Sequence, residues 1–599
     1  MCGVFGIIGE YNESLAKTAL SKLAHRGPDH CGIIQNKRLF FAHQRLSIQD
    51  THHRSHQPLQ HQSILLSFNG EIYNFEALKK ELEFNFTTQS DTEVIIAAYL
   101  KWGVDFVQHL RGMFAIALLD GETLYLFRDR LGKKPLYYLD GTSFIFASEI
   151  KALVPFLQKK EMNEDALLSY LSFLAPTPPF TFFQGIKTLG AGEYAIYKDN
   201  NLSIQRYYDI ISTKPNIITS ESEAIKKIEL HLEESMELRL SADVSTASLL
   251  SGGIDSATIN YYAKKKGLDL PTYTLGYKEY AKYDERANAQ ATAEYLGLQN
   301  TQVEIDESMF IEASERVLDT LDQPLNDPAA VPLYLLFEQI KRDGHKVVMS
   351  GEGSDELFLG YRQYFEYLDI EGAGNLAHKN WLKKYFRANF SMNREWEWYK
   401  RVFDETLLFR TSGDKFTDLQ KNQLMRRNVK DNASLKYLQK YRERFENSEH
   451  KDESIWYSYI DLNLFQAEHF LHKLDHISMA HSIESRTPFL DHKLVETVFS
   501  IEPRLRYKDG ITKALLKKTM HNRLDEKILK RKKKGFANPY IEYLINSKKI
   551  ELIKEVNRET GLFHEKKLEE YIADASRGSF KQHVWGLYVL SHWIKKNLL

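Results

Sequence analysis

The sequence predicts an α+β domain at the N-terminus, followed by an α/β domain whose C-terminal part is helical. At 599 residues the chain is too long for one ordinary core, so two or more domains are expected. Roughly the first 200 residues carry short β-branched and aromatic runs broken by turn residues, a pattern typical of strands. Beyond residue 221 the sequence becomes helix-rich, and strand-like runs lead into glycine-bearing turns, as in parallel sheets.

Three strands and two helices are predicted in the N-terminal part. Residues 63–68, 123–127 and 143–146 are rich in Leu, Ile and Phe, which favours strands. One helix is predicted from Phe75, and a second after residues 90–93, whose Ser-Asp-Thr-Glu sequence has the pattern of a capping box. This mixture indicates an α+β layered domain, which we place at residues 1–206.

A polar stretch, residues 207–221, separates this domain from the next and predicts a linker. Residues 247–250 and 346–349 then predict strands, each followed by a glycine-bearing turn and a helix. Residues 222–599 are therefore expected to hold a largely parallel sheet. The end of the chain is predicted to be helical, with an aromatic amphipathic segment at residues 584–594.

Composition excludes several classes of protein. Lys and Arg number 80 against 81 Asp and Glu, so no overall field attracts nucleic acid or an anionic membrane. Cys2 and Cys31 are the only cysteines, too few for a disulfide framework or a cysteine-based zinc site. The N-terminus lacks the basic region of a signal peptide, and no apolar run approaches the roughly 18 residues of a membrane span. We expect a cytoplasmic protein that binds small molecules.

Cys2 is the first candidate for catalysis. Removal of Met1 would leave a thiol and a free α-amine on one residue. The thiolate is the nucleophilic form, and a terminal amine with a pKa of about 8 can take the thiol proton. A cysteine next to the initiator is more often incidental, but the downstream segments favour a nucleophile.

Two downstream segments suit an amide substrate. Arg45 can grip a carboxylate with two parallel hydrogen bonds. Asn69 and Gly70 follow a strand, where Asn-Gly is as often a simple hairpin turn. The functional alternative is an oxyanion hole, in which the Asn69 amide and the Gly70 N–H face a tetrahedral intermediate.

Two glycine-bearing turns predict a nucleotide site. Residues 249–256 pass from a strand into a helix, so backbone N–H groups and the helix N-terminus can hold an anion. The loop is too short for a Walker A motif, and taken alone it is more often a tight helix cap. A second turn, residues 350–357, follows the other strand. Asp255 and Asp355 could jointly hold Mg²⁺, which prefers carboxylate and phosphate oxygens.

Together these segments resemble the glutamine-hydrolysing asparagine synthetases. The N-terminal segments resemble a class II glutamine amidotransferase domain, and the loop at 249–256 resembles that of ATP-pyrophosphatases. The basic run at 530–534, alone typical of a solvated surface, becomes part of an Arg-x-Lys-x-Gly-Phe motif of the family. The match covers nearly the whole chain and includes residues 25–29, 42–48, 68–74, 90–93, 110–115, 128–137, 146–151, 283–285, 474–492 and 510–513.

The resemblance implies an N-terminal nucleophile hydrolase with four αββα layers, followed by an ATP-pyrophosphatase domain. It implies that ammonia released from glutamine at Cys2 passes through the protein to a carboxylate that ATP, with Mg²⁺, has converted to an acyl-adenylate. It also suggests a homodimer. The implied residues are Cys2, Asn69, Gly70, Glu352 and Lys533 for catalysis, Arg45, Ile48, Asn69, Glu71 and Asp91 for glutamine, Leu249, Ser251, Gly252, Gly253, Asp255, Ser256, Leu275, Ser350 and Gly351 for ATP, and Asp255 and Asp355 for the metal.

Aspartate is the expected acceptor, which would give asparagine, glutamate, AMP and pyrophosphate. Residues 321–332, however, differ from one well-known branch of the family and look more like a branch that amidates sugar acids for surface polysaccharide. A sugar-uronate amidotransferase is therefore the alternative. A regulatory or binding protein is disfavoured because the nucleophile and both acidic loop residues are intact. Which lysine of residues 532–534 acts is left open.

Overall fold

Three β-sheets organise the molecule. The computed structural model describes residues 2–212, 216–388, 394–426, 429, 432–532 and 537–599. Twelve of the strands in these residues lie in the first part of the chain and five in the second. The strands are β1 Gly3–Ile8, β2 His30–Asn36, β3 Leu39–Arg45, β4 Leu59–His61, β5 Ile64–Ile72, β6 Gly112–Asp120, β7 Thr123–Arg128, β8 Tyr137–Asp140, β9 Phe144–Ala147, β10 Ile186–Thr188, β11 Glu193–Lys198, β12 Asn201–Arg206, β13 Thr246–Leu249, β14 Thr272–Tyr277, β15 Asn300–Ile305, β16 Val347–Met349 and β17 Glu484–Arg486.

Helices surround these sheets, and most of them lie in the second part of the chain. A π-helical segment, Asp461–Phe470, joins α17 to α18. The helices within the described residues are α1 Glu13–Ser21, α2 Phe75–Glu81, α3 Thr92–Trp102, α4 Phe106–His109, α5 Glu164–Phe173, α6 Glu221–Leu240, α7 Ile254–Lys265, α8 Arg286–Leu296, α9 Glu307–Thr320, α10 Ala330–Arg342, α11 Ser354–Leu357, α12 Arg362–Glu371, α13 Lys379–Ala388, α14 Arg394–Phe403, α15 Asp418–Leu424, α16 Gln439–Asn447, α17 Glu453–Ile460, α18 Leu471–Ala480, α19 His492–Phe499, α20 Pro503–Tyr507, α21 Ala514–Thr519, α22 Glu526–Lys530, α23 Tyr540–Asn546, α24 Glu551–Thr560, α25 Glu565–Ser576 and α26 Lys581–Asn597.

The N-terminal part is a sandwich of two antiparallel six-stranded sheets. Their strand orders are β10-β8-β9-β1-β3-β2 and β12-β11-β7-β6-β5-β4. Val4 and Phe41 of the first sheet pack with Leu65 and Ala117 of the second in the core between them. Helices α2, α3 and α4 cover the outer face of the second sheet, and α1 and α5 belong to the core on the outer face of the first. This is the predicted four-layer αββα fold, that of the N-terminal nucleophile hydrolases.

In this domain the structure decides one alternative that the sequence left open and overturns one local prediction. Asn69 and Gly70 do not form a hairpin turn, because β5 continues through both residues and pairs with β6 along its whole length. The second predicted helix is α3, but the capping box does not form. The Glu93 carboxylate instead accepts hydrogen bonds from Thr87 and Thr88. The Asp91 carboxylate accepts one from the Ile72 N–H at 2.8 Å. Asp91 is thereby held beside β5.

The second part contains the predicted parallel sheet, ordered β15-β14-β13-β16-β17. Strand β13 leads through residues 250–253 into α7, and β16 leads through residues 350–353 into α11. Since β13 and β16 are neighbours, both glycine-bearing loops lie at the same edge, the carboxyl end where α/β sheets bind ligands. The C-terminal region is helical, as predicted, and α26 includes the amphipathic segment.

Buried ion pairs join the two parts of the chain. Arg26 pairs with Asp475 at 2.8 Å and Arg128 with Glu468 at 2.9 Å. Asp491 is 2.9 Å from the Arg111 guanidinium. Removing one partner of such a pair leaves a buried charge uncompensated, which costs about 3–5 kcal/mol. These pairs therefore fix the N-terminal sandwich against the helices around the parallel sheet.

Two further observations concern the predictions made for the chain as a whole. Within the part of the chain that the structure describes, no helix is both long enough and apolar enough to cross a bilayer. Residues 213–215 of the predicted linker lie outside the described residues.

Candidate glutamine and nucleotide sites

A small cavity lies at the start of β1. Five residues predicted from the sequence to bind or attack glutamine line it: Cys2, Arg45, Ile48, Glu71 and Asp91. Gly70 is also part of its wall, and Asn69 is hydrogen-bonded to Cys2 behind it. The fold thus brings together side chains from β1, β3, β5 and the start of α3.

The position of Cys2 is fixed by hydrogen bonds to its backbone. Its N atom donates to Asn69 Oδ1 at 2.9 Å, and its carbonyl accepts from Arg26 Nε at 3.0 Å. Cys2 is buried, with 7% of its surface exposed, because β1 is a central strand flanked by β3 and β9. The thiol therefore sits on a rigid strand, facing the cavity, rather than on a mobile terminus.

Asn69 and Gly70 have the properties of an oxyanion site. Among the described residues, none forms a hydrogen bond with Asn69 Nδ2, although this donor is fully buried. A buried donor without an acceptor is costly, and a developing oxyanion would satisfy it. At Gly70, a Cβ atom would lie 2.0 Å from the Met113 carbonyl oxygen, so only glycine lets β5 approach β6 here.

The Arg45 side chain shapes the cavity wall through hydrogen bonds to backbone carbonyl groups. Its guanidinium donates to the carbonyl oxygens of His52 at 3.0 Å and Asp50 at 2.6 Å. These bonds hold the loop after β3, which includes Ile48, against the cavity. The Ile48 carbonyl accepts from the Asp243 N–H at 3.2 Å, a contact with the second part of the chain.

Glu71 and Asp91 form a pair of buried carboxylates. Burial raises the pKa of Asp91 to about 7, and burial together with the nearby Asp91 raises the pKa of Glu71 well above its usual range. Two carboxyl groups this close do not ionise independently, so the pair retains a proton near neutral pH. A ligand ammonium group would displace that proton and restore the negative charge of both groups.

Glu484 is a wall residue that the sequence reasoning missed. It lies on β17 of the parallel sheet, yet it lines the same cavity as Cys2 and Asp91. The segment that contains it was among those resembling the family, but a separation of several hundred residues gives no sign of this contact. Gln57, Ser90 and Thr92 also line the cavity and were not predicted.

A second, larger cavity lies at the carboxyl edge of the parallel sheet. Both glycine-bearing loops contribute to it, and Leu275 lines a smaller adjoining cavity that shares Leu249 and Ser251 with it. At Gly252, φ is +73° and a Cβ atom would lie 2.7 Å from the Asn288 backbone, so the turn requires glycine. The predicted residues that line the larger cavity are Leu249, Ser251, Asp255, Ser256, Ser350, Gly351, Glu352 and Asp355. Gly253 is the residue before α7.

Lys513 lies between the two predicted metal ligands. Its Nζ is 2.6 Å from Asp255 Oδ2 and 2.7 Å from Asp355 Oδ1. The segment containing Lys513 resembled the family, but no role was predicted for it. Two carboxylates in the first turns of α7 and α11, the helices that follow adjacent strands, offer the oxygen donors that Mg²⁺ prefers, and Lys513 offsets part of their charge.

The remaining wall of the large cavity was not predicted. Lys473 pairs with Asp327 at 2.7 Å, and His469 stacks on Phe465 with ring centroids 5.2 Å apart. Gln582 donates to the Asn326 carbonyl at 3.2 Å. Lys533 lies outside the described residues; Arg531, two residues earlier, donates to the Gly252 carbonyl.

Helix α18 connects the surroundings of the two cavities. Arg26, which holds the Cys2 carbonyl, pairs with Asp475 on this helix, and Lys134 also contacts Asp475 at 3.2 Å. Lys473, on the same helix, lines the large cavity. The same helix therefore contributes residues to the surroundings of both cavities.

The fold and the residues of the two cavities are those expected of an ATP-dependent amide ligase that is supplied by a glutamine amidotransferase domain. The glutamine amidotransferase domain model matches residues 1–208, and the asparagine synthase model matches residues 227–595. The chain belongs to the asparagine synthase family.

Curated relatives extend this match over the chain. Asparagine synthetase [glutamine-hydrolyzing] 1 of Bacillus subtilis is 31% identical, over 100% of this chain and 97% of the relative. Asparagine synthetase [glutamine-hydrolyzing] 3 of the same organism is 28% identical, over 90% of this chain and 87% of the relative. A putative asparagine synthetase of Mycobacterium tuberculosis is 31% identical, over 90% of this chain and 86% of the relative.

Proposed function

We propose that the protein is a glutamine-dependent asparagine synthetase, with a glutaminase domain at residues 1–206 and a synthetase domain at residues 222–599. The observation that carries the proposal is the presence of both cavities, each lined by the residue types that its half-reaction needs. The alignment of nearly the whole chain with a relative named asparagine synthetase supports the same function.

In the first half-reaction, Cys2 attacks the side-chain amide of glutamine. The Cys2 α-amine, freed by removal of Met1, takes the thiol proton, and the thiolate sulfur bonds to the amide carbon. Asn69 Nδ2 and the Gly70 N–H stabilise the oxyanion. The α-ammonium then returns the proton to the amide nitrogen, the C–N bond breaks, and ammonia leaves as the thioester forms. Water then hydrolyses the thioester to glutamate. Arg45 faces the α-carboxylate, Glu71 and Asp91 face the α-ammonium, and Ile48 contributes its backbone.

In the second half-reaction, the aspartate side-chain carboxylate attacks the α-phosphorus of ATP and pyrophosphate leaves. The loops at 250–253 and 350–353 cradle the phosphates, while Leu249 and Leu275 contact the adenosine. Asp255 and Asp355 would hold Mg²⁺, which supplies charge neutralisation to the phosphates. Lys513 and, by resemblance, Lys533 supply positive charge, and Glu352 lies beside the acceptor.

Ammonia then attacks the aspartyl-adenylate, and AMP leaves as asparagine forms. Helix α18 supports an internal passage, because it carries both Asp475, the partner of the Arg26 that holds Cys2, and Lys473 in the wall of the large cavity. The family resemblance also favours a homodimer, which the molar mass from light scattering would test.

The test is pyrophosphate release by the processed enzyme with ATP, Mg²⁺ and glutamine. L-Aspartate is compared with a panel of nucleotide-linked uronic acids. Release with aspartate, with asparagine formed in equal amount, supports the proposal. Release with a uronic acid alone would contradict aspartate as the acceptor and favour the polysaccharide-modifying alternative.

A further inference from the structure

Strand β17 brings two charged residues of the parallel sheet to the glutamine cavity. We propose that Glu484 and Arg486 are positioning residues for glutamine binding, because they hold Glu71 and Asp91 in the orientation and charge that an α-ammonium group requires. This inference rests on the proposed role of Glu71 and Asp91 in binding glutamine. It assigns part of the glutaminase site to the synthetase half of the chain.

Arg486 is rigidly anchored in the synthetase half. Its Nη1 donates to the carbonyl oxygens of Arg239 at 2.7 Å and Ser241 at 2.6 Å, at the end of α6. Its Nε donates to Glu484 Oε1 at 2.6 Å. The guanidinium is fully buried, so it presents a fixed positive charge. Its interactions with nearby charges are therefore screened much less by solvent than those of a surface cation.

The same guanidinium reaches the glutaminase half. Arg486 Nη2 lies 3.5 Å from Glu71 Oε2, and the guanidinium lies 5.6 Å from the centre of the Tyr73 ring. Glu71 also faces Asp91 within the cavity. Arg486 is therefore the cation that opposes the accumulation of negative charge on this side of the cavity.

Glu484 acts on the same pair with the opposite sign. It is fully buried, lines the cavity with Cys2 and Asp91, and is held in place by Arg486. Burial alone would raise its pKa, but Arg486 keeps the pKa of Glu484 below its usual range, so it remains a carboxylate. Its negative charge raises the pKa of both Glu71 and Asp91.

The effects of Glu484 and Arg486 on this pair of carboxylates can be distinguished from those of the other charged groups around it. The charged and titratable groups facing Glu71 and Asp91 come from every neighbouring element: Cys2 with the chain terminus, Arg45, Tyr73, Arg239, Glu484 and Arg486. Of these, only Glu484 and Arg486 are charged residues of the parallel sheet. Backbone bonds tie them to the nucleotide loop, since the Ser350 N–H donates to the Arg486 carbonyl at 2.9 Å.

The test compares Glu484→Gln with Arg486→Gln in the full-length processed enzyme. The KM for glutamine in the glutaminase reaction is measured between about pH 5 and pH 9, a range that spans the raised pKa values. Because an α-ammonium binds the deprotonated pair, the KM falls as pH rises through the pKa of the pair. Glu484→Gln removes a negative charge and should move this midpoint to lower pH. Arg486→Gln removes a positive charge and should move it to higher pH, each by about 1 unit or more.

Controls separate this result from simple structural damage. Glu468→Gln removes another buried carboxylate at the interface, the partner of Arg128, and should leave the midpoint unchanged. Arg486→Lys keeps the charge and should shift the midpoint less than Arg486→Gln. If Arg486→Gln does not fold, the downward shift in Glu484→Gln alone decides the inference.

Unchanged midpoints, or midpoints that move in the same direction in both variants, would overturn the inference. The proposed function would still stand in that case, provided that the wild type has glutaminase activity. A wild-type enzyme without glutaminase activity would overturn the proposed function and the inference together.

Discussion

Replacing Asn69 with alanine tests the oxyanion site directly. In the structure the Asn69 side chain has two roles: its Oδ1 holds the Cys2 N atom at 2.9 Å, and its buried Nδ2 has no hydrogen-bond partner among the described residues. The first role positions the nucleophile. The second provides a donor that the free enzyme leaves unused and that the tetrahedral intermediate would engage.

The expected loss follows from these two contacts. Removing one preorganised oxyanion donor lowers kcat by about 10²–10³, equivalent to about 2.7–4 kcal/mol of transition-state stabilisation. Leaving the Cys2 N–H without its acceptor adds a desolvation cost of about 1–3 kcal/mol to folding. We therefore expect glutaminase kcat to fall by at least about 100-fold, with a smaller change in the KM for glutamine.

The assay measures glutamate release and ammonia-dependent amide synthesis in the same preparation. Ammonia-dependent synthesis should be retained, because Asn69 is remote from the nucleotide loops. A fall in glutaminase kcat of less than about tenfold would refute the oxyanion role. An equal fall in both activities would instead indicate general disruption of the fold.

Three further predictions concern stability. Gly70→Ala should destabilise the protein by about 1–3 kcal/mol, seen as a lower Tm, because its Cβ atom would collide with the Met113 carbonyl. Arg26→Met should cost about 3–5 kcal/mol in denaturant unfolding, since it removes the buried cation that two buried carboxylates, Glu149 and Asp475, share, whereas the exposed Lys17→Met should cost little. Burial alone would raise the pKa of Asp491, but its two arginine partners hold it below the usual range. The stability that the ionised Asp491 carboxylate provides is therefore present above the unfolded pKa of about 4 and is lost as the pH falls below it. The Tm should thus fall in acid for the wild type, and less steeply for Asp491→Asn.

Much of the architecture could be predicted because it depends on local patterns. Strands such as β7 and β9 consist of apolar runs between turns, and the loops after β13 and β16 carry glycines at the positions where backbone must close on a ligand. The local sequence and the final fold agree at these places, because burial of the apolar runs and the steric need for glycine favour the same structure.

The structure departs from local sequence patterns where tertiary contacts override local preference. The Asn69–Gly70 pair has a turn-like sequence, but pairing of β5 with β6 keeps it extended. Residues 90–93 have a capping-box sequence, but the Glu93 carboxylate binds Thr87 and Thr88 instead, and the Ile72 N–H binds the Asp91 carboxylate. In both cases the deviation places the residue in the wall of the glutamine cavity or behind it.

The site was only partly predictable for the same reason. Residues within short motifs, such as Asp255 and Ser350, could be assigned to a nucleotide site from the resemblance of those motifs to the family. Glu484 reaches the glutamine cavity through the sheet topology, and Lys513 reaches Asp255 and Asp355 from the residue before α21; no local pattern encodes either contact. Lys533 remains a prediction because it lies outside the described residues.

The central claim is that nitrogen released at Cys2 is delivered to an ATP-activated aspartate through the protein. The most direct test supplies the enzyme with amide-¹⁵N glutamine, ATP, Mg²⁺ and aspartate in the presence of unlabelled ammonium, and measures the isotope content of the amide product by mass spectrometry. The account predicts asparagine that carries mainly ¹⁵N, and loss of this label in Cys2→Ala while unlabelled ammonium is still incorporated. Asparagine that carries the isotope ratio of the bulk ammonium, or no asparagine at all, would contradict it.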